Sequence, residues 1–250
     1  MNLKFLENEV GTYAIKNHLL LVPAEWMLVE QTSDAIEKTK PSLKSFVEDV
    51  DYRNKAKPEN FPVLSEVTTH LPDVYSIPLF SDMFVKVMLD EIDHIKETSG
   101  FQVNKEEDKD VQIEEFILSK NSPGWYRSVF QLIYGKINVI FESLFSRTVH
   151  TGVIQLANYN PTEIAQTTWH HDGEADITMV VPLNTGDYEG GGTEFWRKGE
   201  VDPLPNGHAL IFPTYSNLHR GLPLSKGDRY LFVFWLKSKP QQQEEKEEND

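Results

Sequence analysis

The sequence predicts an α+β protein, a β-sandwich or jelly roll backed by N-terminal helices. Two stretches between Ser81 and Leu144 repeat apolar residues every three or four positions, which is helical spacing. After Arg147 the period falls to two, and five short β-rich runs follow, separated by Gly, Pro and Asn turns. Helices first and closely spaced strands afterwards segregate as they do in α+β chains, where a sheet buries one face under a layer of helices.

In chain order, the first seventy residues are of mixed character without a repeated period. Their apolar run, Leu19 to Val29, is broken by Pro23 and Glu25 and is too short to cross a bilayer. Acids stand at the amino terminus where a signal peptide would need an uninterrupted apolar stretch. Asp49 to Pro62 is charged, polar and proline-punctuated, and reads as a connector. Val74 to Phe80 reads as a short strand. Ser81 then caps a helix, its hydroxyl accepting from first-turn amides. In that helix Phe84, Val85, Met88, Ile92 and Ile95 make one stripe, while Lys86, Asp90, Glu91 and Asp93 face water. Gly100 to Asp110 is a charged, solvated loop. A second helix follows Ser122-Pro123, with Val129, Phe130, Ile133, Ile137, Ile140, Phe141 and Leu144 on one face. The strand runs are Val153 to Tyr159, Ile177 to Leu183, Thr193 to Trp196, His208 to Phe212 and Tyr230 to Leu236. The last ten residues carry five acids and one lysine and read as a disordered tail.

Composition narrows the chemistry. At 250 residues with 39% hydrophobic content the chain can fill a sizeable core. It has no cysteine, which excludes disulfide frameworks, cysteine-ligated zinc, iron–sulfur clusters and thiol nucleophiles, and any metal must be held by His, Asp or Glu. A net charge of −15 argues against nucleic acid or an anionic membrane as partner. No membrane span is expected, and a cysteine-free chain fits a cytoplasmic setting.

Thr168-Trp169-His170-His171-Asp172-Gly173 is the informative stretch. In an extended strand residues i and i+2 share a face, so His170 and Asp172 can present an imidazole and a carboxylate to one ion. His171 then points the other way, toward a supporting or surface role. A lone His-x-Asp is common by chance, and the second cluster, Asn217 to Pro223 followed by Lys226 to Tyr230, gives it weight. His219 supplies a third ligand, and two His with one carboxylate on one side of a metal suit a non-haem Fe(II) oxygenase. Arg229 opens the last strand and shares its face with Leu231, Val233 and Trp235. A guanidinium there requires an anionic partner, which the distal carboxylate of a 2-oxo acid would provide bidentately.

His170 through Asp172, Asp187 through Phe195 with its Gly190-Gly191-Gly192, His219 through Pro223 and Gly227 through Tyr230 together resemble the catalytic domain of the procollagen lysyl hydroxylases. More broadly they resemble the prolyl/lysyl hydroxylase branch of the Fe(II)/2-oxoglutarate dioxygenases. Pro72 to Tyr75, Pro78 to Phe80 and Tyr159-Asn160-Pro161 continue the match, which covers roughly residues 71 to 238. The resemblance implies a double-stranded β-helix, with 71–240 as the dioxygenase domain, 1–70 as an N-terminal extension and 241–250 as the acidic tail. It implies His170, Asp172 and His219 as iron ligands and Arg229 as anchor for 2-oxoglutarate, with Tyr159 and, more weakly, Thr178 lining the cosubstrate pocket. The implied reaction is hydroxylation of a protein or peptide side chain, lysyl before prolyl. 2-Oxoglutarate and O2 are consumed, succinate and carbon dioxide released, and ascorbate serves as reductant. A homodimer is implied as well, and the endoplasmic reticulum if the chain is a fragment of a secretory-pathway protein. Glu174 or Asp176 is a candidate for selecting a cationic substrate at the pocket rim. The alternatives are a catalytically silent jelly-roll scaffold, a small-molecule hydroxylase of the same fold, and a zinc hydrolase or cupin-like enzyme; Arg229 speaks against the last.

Overall fold

A computed structural model describes residues 24–240, apart from 104, 106–111 and 174. The expected acidic tail and most of the charged loop therefore lie outside the described residues. Helices α1 (Ala24–Met27), α2 (Glu30–Glu48) and α3 (Val50–Lys55) come first, followed by strands β1 (Thr68–Leu71) and β2 (Val74–Pro78). Helix α4 (Asp82–Thr98) precedes β3 (Gln102–Val103) and β4 (Glu114–Ile117), and α5 (Leu118–Asn121) leads into α6 (Pro123–Leu132) and α7 (Asn138–Phe145). The strand-rich half holds β5 (Arg147–Tyr159), β6 (Ile177–Pro182), β7 (Glu189–Gly190), β8 (Thr193–Phe195) and β9 (Gly199–Val201). It continues through β10 (His208–Pro213), β11 (His219–Gly221) and β12 (Leu224–Lys226) to β13 (Arg229–Pro240).

Eight strands form the major sheet in the order β1-β2-β10-β6-β13-β5-β4-β3, with β11-β8-β9 and β12-β7 as smaller sheets. This is the mixed helix and jelly-roll arrangement expected. Strand β13 shows how the sequence builds it. Tyr230, Phe232, Phe234 and Leu236 join the core under the helices, while Arg229, Leu231, Val233 and Trp235 line a cavity on the opposite face. Alternation with period two thus separates structure from site along one strand. The β5–β13 pairing runs from Arg229 opposite Tyr159 to Pro240 opposite Arg147.

The helical layer differs from expectation in three places. Asp49 to Pro62 is not merely a connector: the Asp49 carboxylate accepts from the amides of Asp51 and Tyr52 and starts α3. Ser81 caps α4 as predicted, accepting from the Phe84 amide at 3.2 Å. Its buried stripe is wider than the pattern implied, however, because Val87 is buried and Glu91, four residues on, is 3% exposed rather than in water. The second helix is broken by a π turn at Ile133–Ile137, and α7 then ends at Ser146 in a left-handed conformation. Met27, Leu28, Ile36, Leu43 and Val63, all before β1, are buried in the same core cluster as Phe232 and Phe234. The first helices and the major sheet therefore bury one continuous apolar interior.

Candidate metal centre

His219 begins β11, whose other neighbour is β8. On its free side the chain returns at His170, and the two histidines exchange backbone hydrogen bonds at 2.9 and 3.0 Å. That pairing places both imidazoles on one face, ring centroids 4.6 Å apart. Asp172 follows two residues later, in a loop rather than in the regular strand assumed from the spacing; Gly173 turns the chain with φ +43°. Its carboxylate oxygens come within 3.4 Å of His170 Nε2 and 3.5 Å of His219 Nε2. One ligand atom from each of the three lies within 4.8 Å of the others.

Hydrogen bonding prepares both rings. His170 Nδ1 lies 2.7 Å from the Thr168 carbonyl and His219 Nδ1 lies 3.0 Å from the Asn217 carbonyl. A carbonyl only accepts, so each Nδ1 carries the proton and each Nε2 presents its lone pair to the space shared with Asp172. Asn217 is itself fixed, donating to the Pro213 carbonyl and accepting from Lys198. Burial lowers the His219 pKa, which keeps the ring neutral as a ligand must be. Burial also pushes the Asp172 carboxyl up, but His219, His170 and Thr178 together outweigh it and leave the group below its usual value. The donor set, two neutral imidazoles and one carboxylate, fits Fe(II).

Arg229 lines the same cavity and is 5% exposed. Its Nη1 donates to the Gly192 carbonyl at 3.3 Å, and its Nε has no hydrogen-bond partner. A buried guanidinium with an unused donor is costly unless an anion completes it, so the pocket fits a 2-oxo acid with a distal carboxylate. The triple glycine makes room: an added Cβ at Gly191 would stand 3.4 Å from Arg229 Cδ, and Gly190 and Gly192 have φ of +88° and +104° with backbone pressed against each.

No family model matches the chain. It is 30% identical over 206 residues to the multifunctional procollagen lysine hydroxylase and glycosyltransferase LH3 of Homo sapiens, a match covering 75% of this chain. It is 28% identical over 201 residues to procollagen-lysine,2-oxoglutarate 5-dioxygenase 1 of Gallus gallus, over 74% of this chain. The chain is a homologue of the procollagen lysine hydroxylases. The chain spans 27% of the length of either relative. Its fold is also that of a Trichoplax adhaerens prolyl hydroxylase solved in complex with a hypoxia inducible factor peptide fragment. There the TM-score is 0.54 at 12% identity, covering 83% of this chain and 92% of that one.

Of the remaining residues singled out from the sequence, two line the cavity and the other described ones do not. Tyr159 and Thr178 line it. Burial raises the Tyr159 pKa, so the phenol keeps its proton, and it interacts with the Thr167 hydroxyl. Thr178 spends its hydroxyl on Asp172. His171 turns away from the cavity, as alternation predicts, and its Nδ1 meets the Thr214 carbonyl at 2.9 Å. Asp176 is not at the rim: it accepts from the Ser238 amide and lies 3.5 Å from Arg147, at the far end of β13. Glu174 lies outside the described residues. Thr167, Thr193 and Phe212 also line the wall, with Ile113 and Gly221, and were not anticipated as lining residues; the run of alternating residues from Ile177 and from His208 could have flagged Phe212, but nothing local marks Thr167. On the outer surface of the ligand strands Arg220 stacks on Trp169, 4.7 Å from its ring, and is gripped by Glu194. Trp169 meets Trp196 edge to face at 5.0 Å. No described helix is long and apolar enough to cross a membrane.

Proposed function

We propose that the chain is an Fe(II)- and 2-oxoglutarate-dependent dioxygenase that hydroxylates a protein or peptide side chain, lysyl before prolyl. The observation that carries this reading is Arg229, buried in the triad's own cavity with an unpartnered Nε. A hydrolase or a bare scaffold has no use for a cation so costly to bury. The relatives' names support lysine as the substrate class, and their procollagen substrates support the endoplasmic reticulum over the cytoplasm.

His170, Asp172 and His219 would hold the metal from one side and leave the opposite side open. Bound iron, with 2-oxoglutarate and oxygen, supplies the oxidising power that replaces C–H by C–OH as succinate and carbon dioxide are released. Arg229 anchors the distal carboxylate of the cosubstrate, and the protonated Tyr159 hydroxyl can donate to it. Leu231, Val233, Trp235, Val180 and Phe212 form an apolar wall that limits water around the metal.

Lysine-containing peptides incubated with the protein, Fe(II), 2-oxoglutarate, ascorbate and oxygen should gain 16 Da with matching succinate release. His219→Ala should abolish both. Succinate formation by no candidate peptide, with Fe(II) still bound, would overturn the reading in favour of a scaffold.

A further inference from the structure

The buried hydroxyls behind Asp172 have a direction. Thr178 Oγ1, on a residue 1% exposed, lies 2.5 Å from Asp172 Oδ2 and 3.1 Å from the hydroxyl of Thr214, which is 0% exposed. An ionised carboxylate only accepts, so the Thr178 proton points at Asp172 and Thr214 must donate to Thr178. Thr214 is held in turn by the loop that carries the ligand. Its amide donates to the Asp176 carbonyl at 2.9 Å, and its carbonyl meets His171 Nδ1 at 2.9 Å. The relay from Thr214 through Thr178 to Asp172 is thus fixed at both ends of the loop.

We propose that Thr178, braced by Thr214, is a positioning residue that occupies Asp172 Oδ2 and confines the carboxylate to one-oxygen ligation through Oδ1. This rests on the metal reading above. A carboxylate free to rotate would chelate through both oxygens and fill a position that a facial site of two histidines and one carboxylate must keep open for cosubstrate and oxygen. Oδ2 lies 3.5 Å from His219 Nε2, within reach of the metal position, and the hydrogen bond from Thr178 engages that oxygen and fixes the plane of the group, the task partners of metal ligands commonly perform. Thr178 then acts through Asp172 and has no direct part in holding 2-oxoglutarate.

Cobalt(II) binding by the whole chain, followed anaerobically through its visible bands, tests the role without turnover. Thr178→Val, equal in shape but without the hydroxyl, should bind Co(II) about 10-fold more weakly. Its band pattern should shift toward higher coordination number, while the KM for 2-oxoglutarate changes less than twofold. Thr178→Ser should restore affinity and spectrum. Wild-type affinity and spectrum in Thr178→Val, with a raised KM for 2-oxoglutarate, would overturn the proposal and make Thr178 a cosubstrate contact. If Thr178→Val fails to fold, Thr214→Val carries the test: a several-fold weaker affinity supports the relay and an unchanged one overturns it. Failure of the wild-type chain to bind Co(II) would sink the metal reading itself, a result separate from either.

Discussion

Arg229 and Tyr159 stand opposite each other in register on β13 and β5, with the guanidinium carbon 5.6 Å from the centre of the phenol ring. The pair puts a fixed cation and a protonated hydroxyl at one end of the cavity, both set by strand pairing and neither by a mobile loop. Arg229→Leu should raise the apparent Kd for 2-oxoglutarate about 100-fold, from loss of charge-assisted hydrogen bonds worth about 1.5–3 kcal/mol each. The same change should leave the ligand-free protein as stable as before or more so, because it deletes a buried unpaired donor. Calorimetric titration with 2-oxoglutarate and a thermal melt read the two effects separately.

Tyr159→Phe removes only the hydroxyl. Its loss should raise the KM for 2-oxoglutarate by about 10-fold at most, the worth of one hydrogen bond of roughly 1 kcal/mol. Metal affinity should be unchanged in the same protein. A weaker metal site in Tyr159→Phe would place the phenol closer to the triad than to the cosubstrate.

Stability should fall on acidification through a group far from the chemistry. Burial lowers the pKa of His208, half-buried on β10, below its ordinary 6.5. Between the folded and unfolded values the unfolded chain binds more protons, so protonation favours unfolding. The contribution is complete above about pH 6.5 and is lost progressively as pH falls from there through the folded value. His219 shifts the same way for the same reason. Urea midpoints measured from pH 8 to pH 5 should decline, and His208→Gln should flatten part of that slope without altering metal binding.

Gln155 is 0% exposed on β5, and neither polar atom of its amide has a hydrogen-bond partner. An unsatisfied buried amide costs about 1–3 kcal/mol. Gln155→Leu, which keeps the volume, should therefore raise Tm by several degrees at about 2–4 °C per kcal/mol for a chain of this size. A lower Tm would mean that the amide is satisfied by ordered water.

Removing residues 1–66 should unfold what remains. The excised segment contains Met27, Leu28, Ile36, Leu43 and Val63, all buried in the core cluster that the sheet residues Phe232 and Phe234 share. At about 1.5–3 kcal/mol for each such side chain the loss rivals the entire stability of an ordinary domain, about 5–15 kcal/mol. The truncated chain should lack near-ultraviolet circular dichroism and a cooperative melt; a sharp two-state melt would show that residues 67–240 suffice.

The parts of the fold that were legible share one property, a periodic apolar face. The α4 stripe and the two faces of β13 announce themselves because burial selects side chains at fixed spacing. Strand β4 does not: Glu114 and Glu115 open it, and the acids mask a strand whose pairing with β5 is set from elsewhere. The three-residue β11 is too short to carry a pattern, and it forms because His219 pairs with Phe195 on one side and His170 on the other. Among candidate site residues His170 and Asp172 stood out by their i, i+2 spacing, and His219 and Arg229, 47 and 57 positions after Asp172, through the second motif cluster that gave the first its weight. Thr178 was visible only as a residue near the site, since a hydroxyl's role depends on which of its neighbours it meets. Asp176 misled because proximity in sequence to Asp172 stood in for proximity in space.

Alternation along the ligand strands also puts Trp169 next to His170 in the chain and Trp196 next to Phe195, on the surface away from the cavity. The edge-to-face indole pair, pinned by Arg220 and Glu194, moves with the backbone that carries the imidazoles. The molecule thereby carries its own optical gauge. Indole emission there should dim as a paramagnetic ion fills the triad, and it reads occupancy with no substrate, label or turnover.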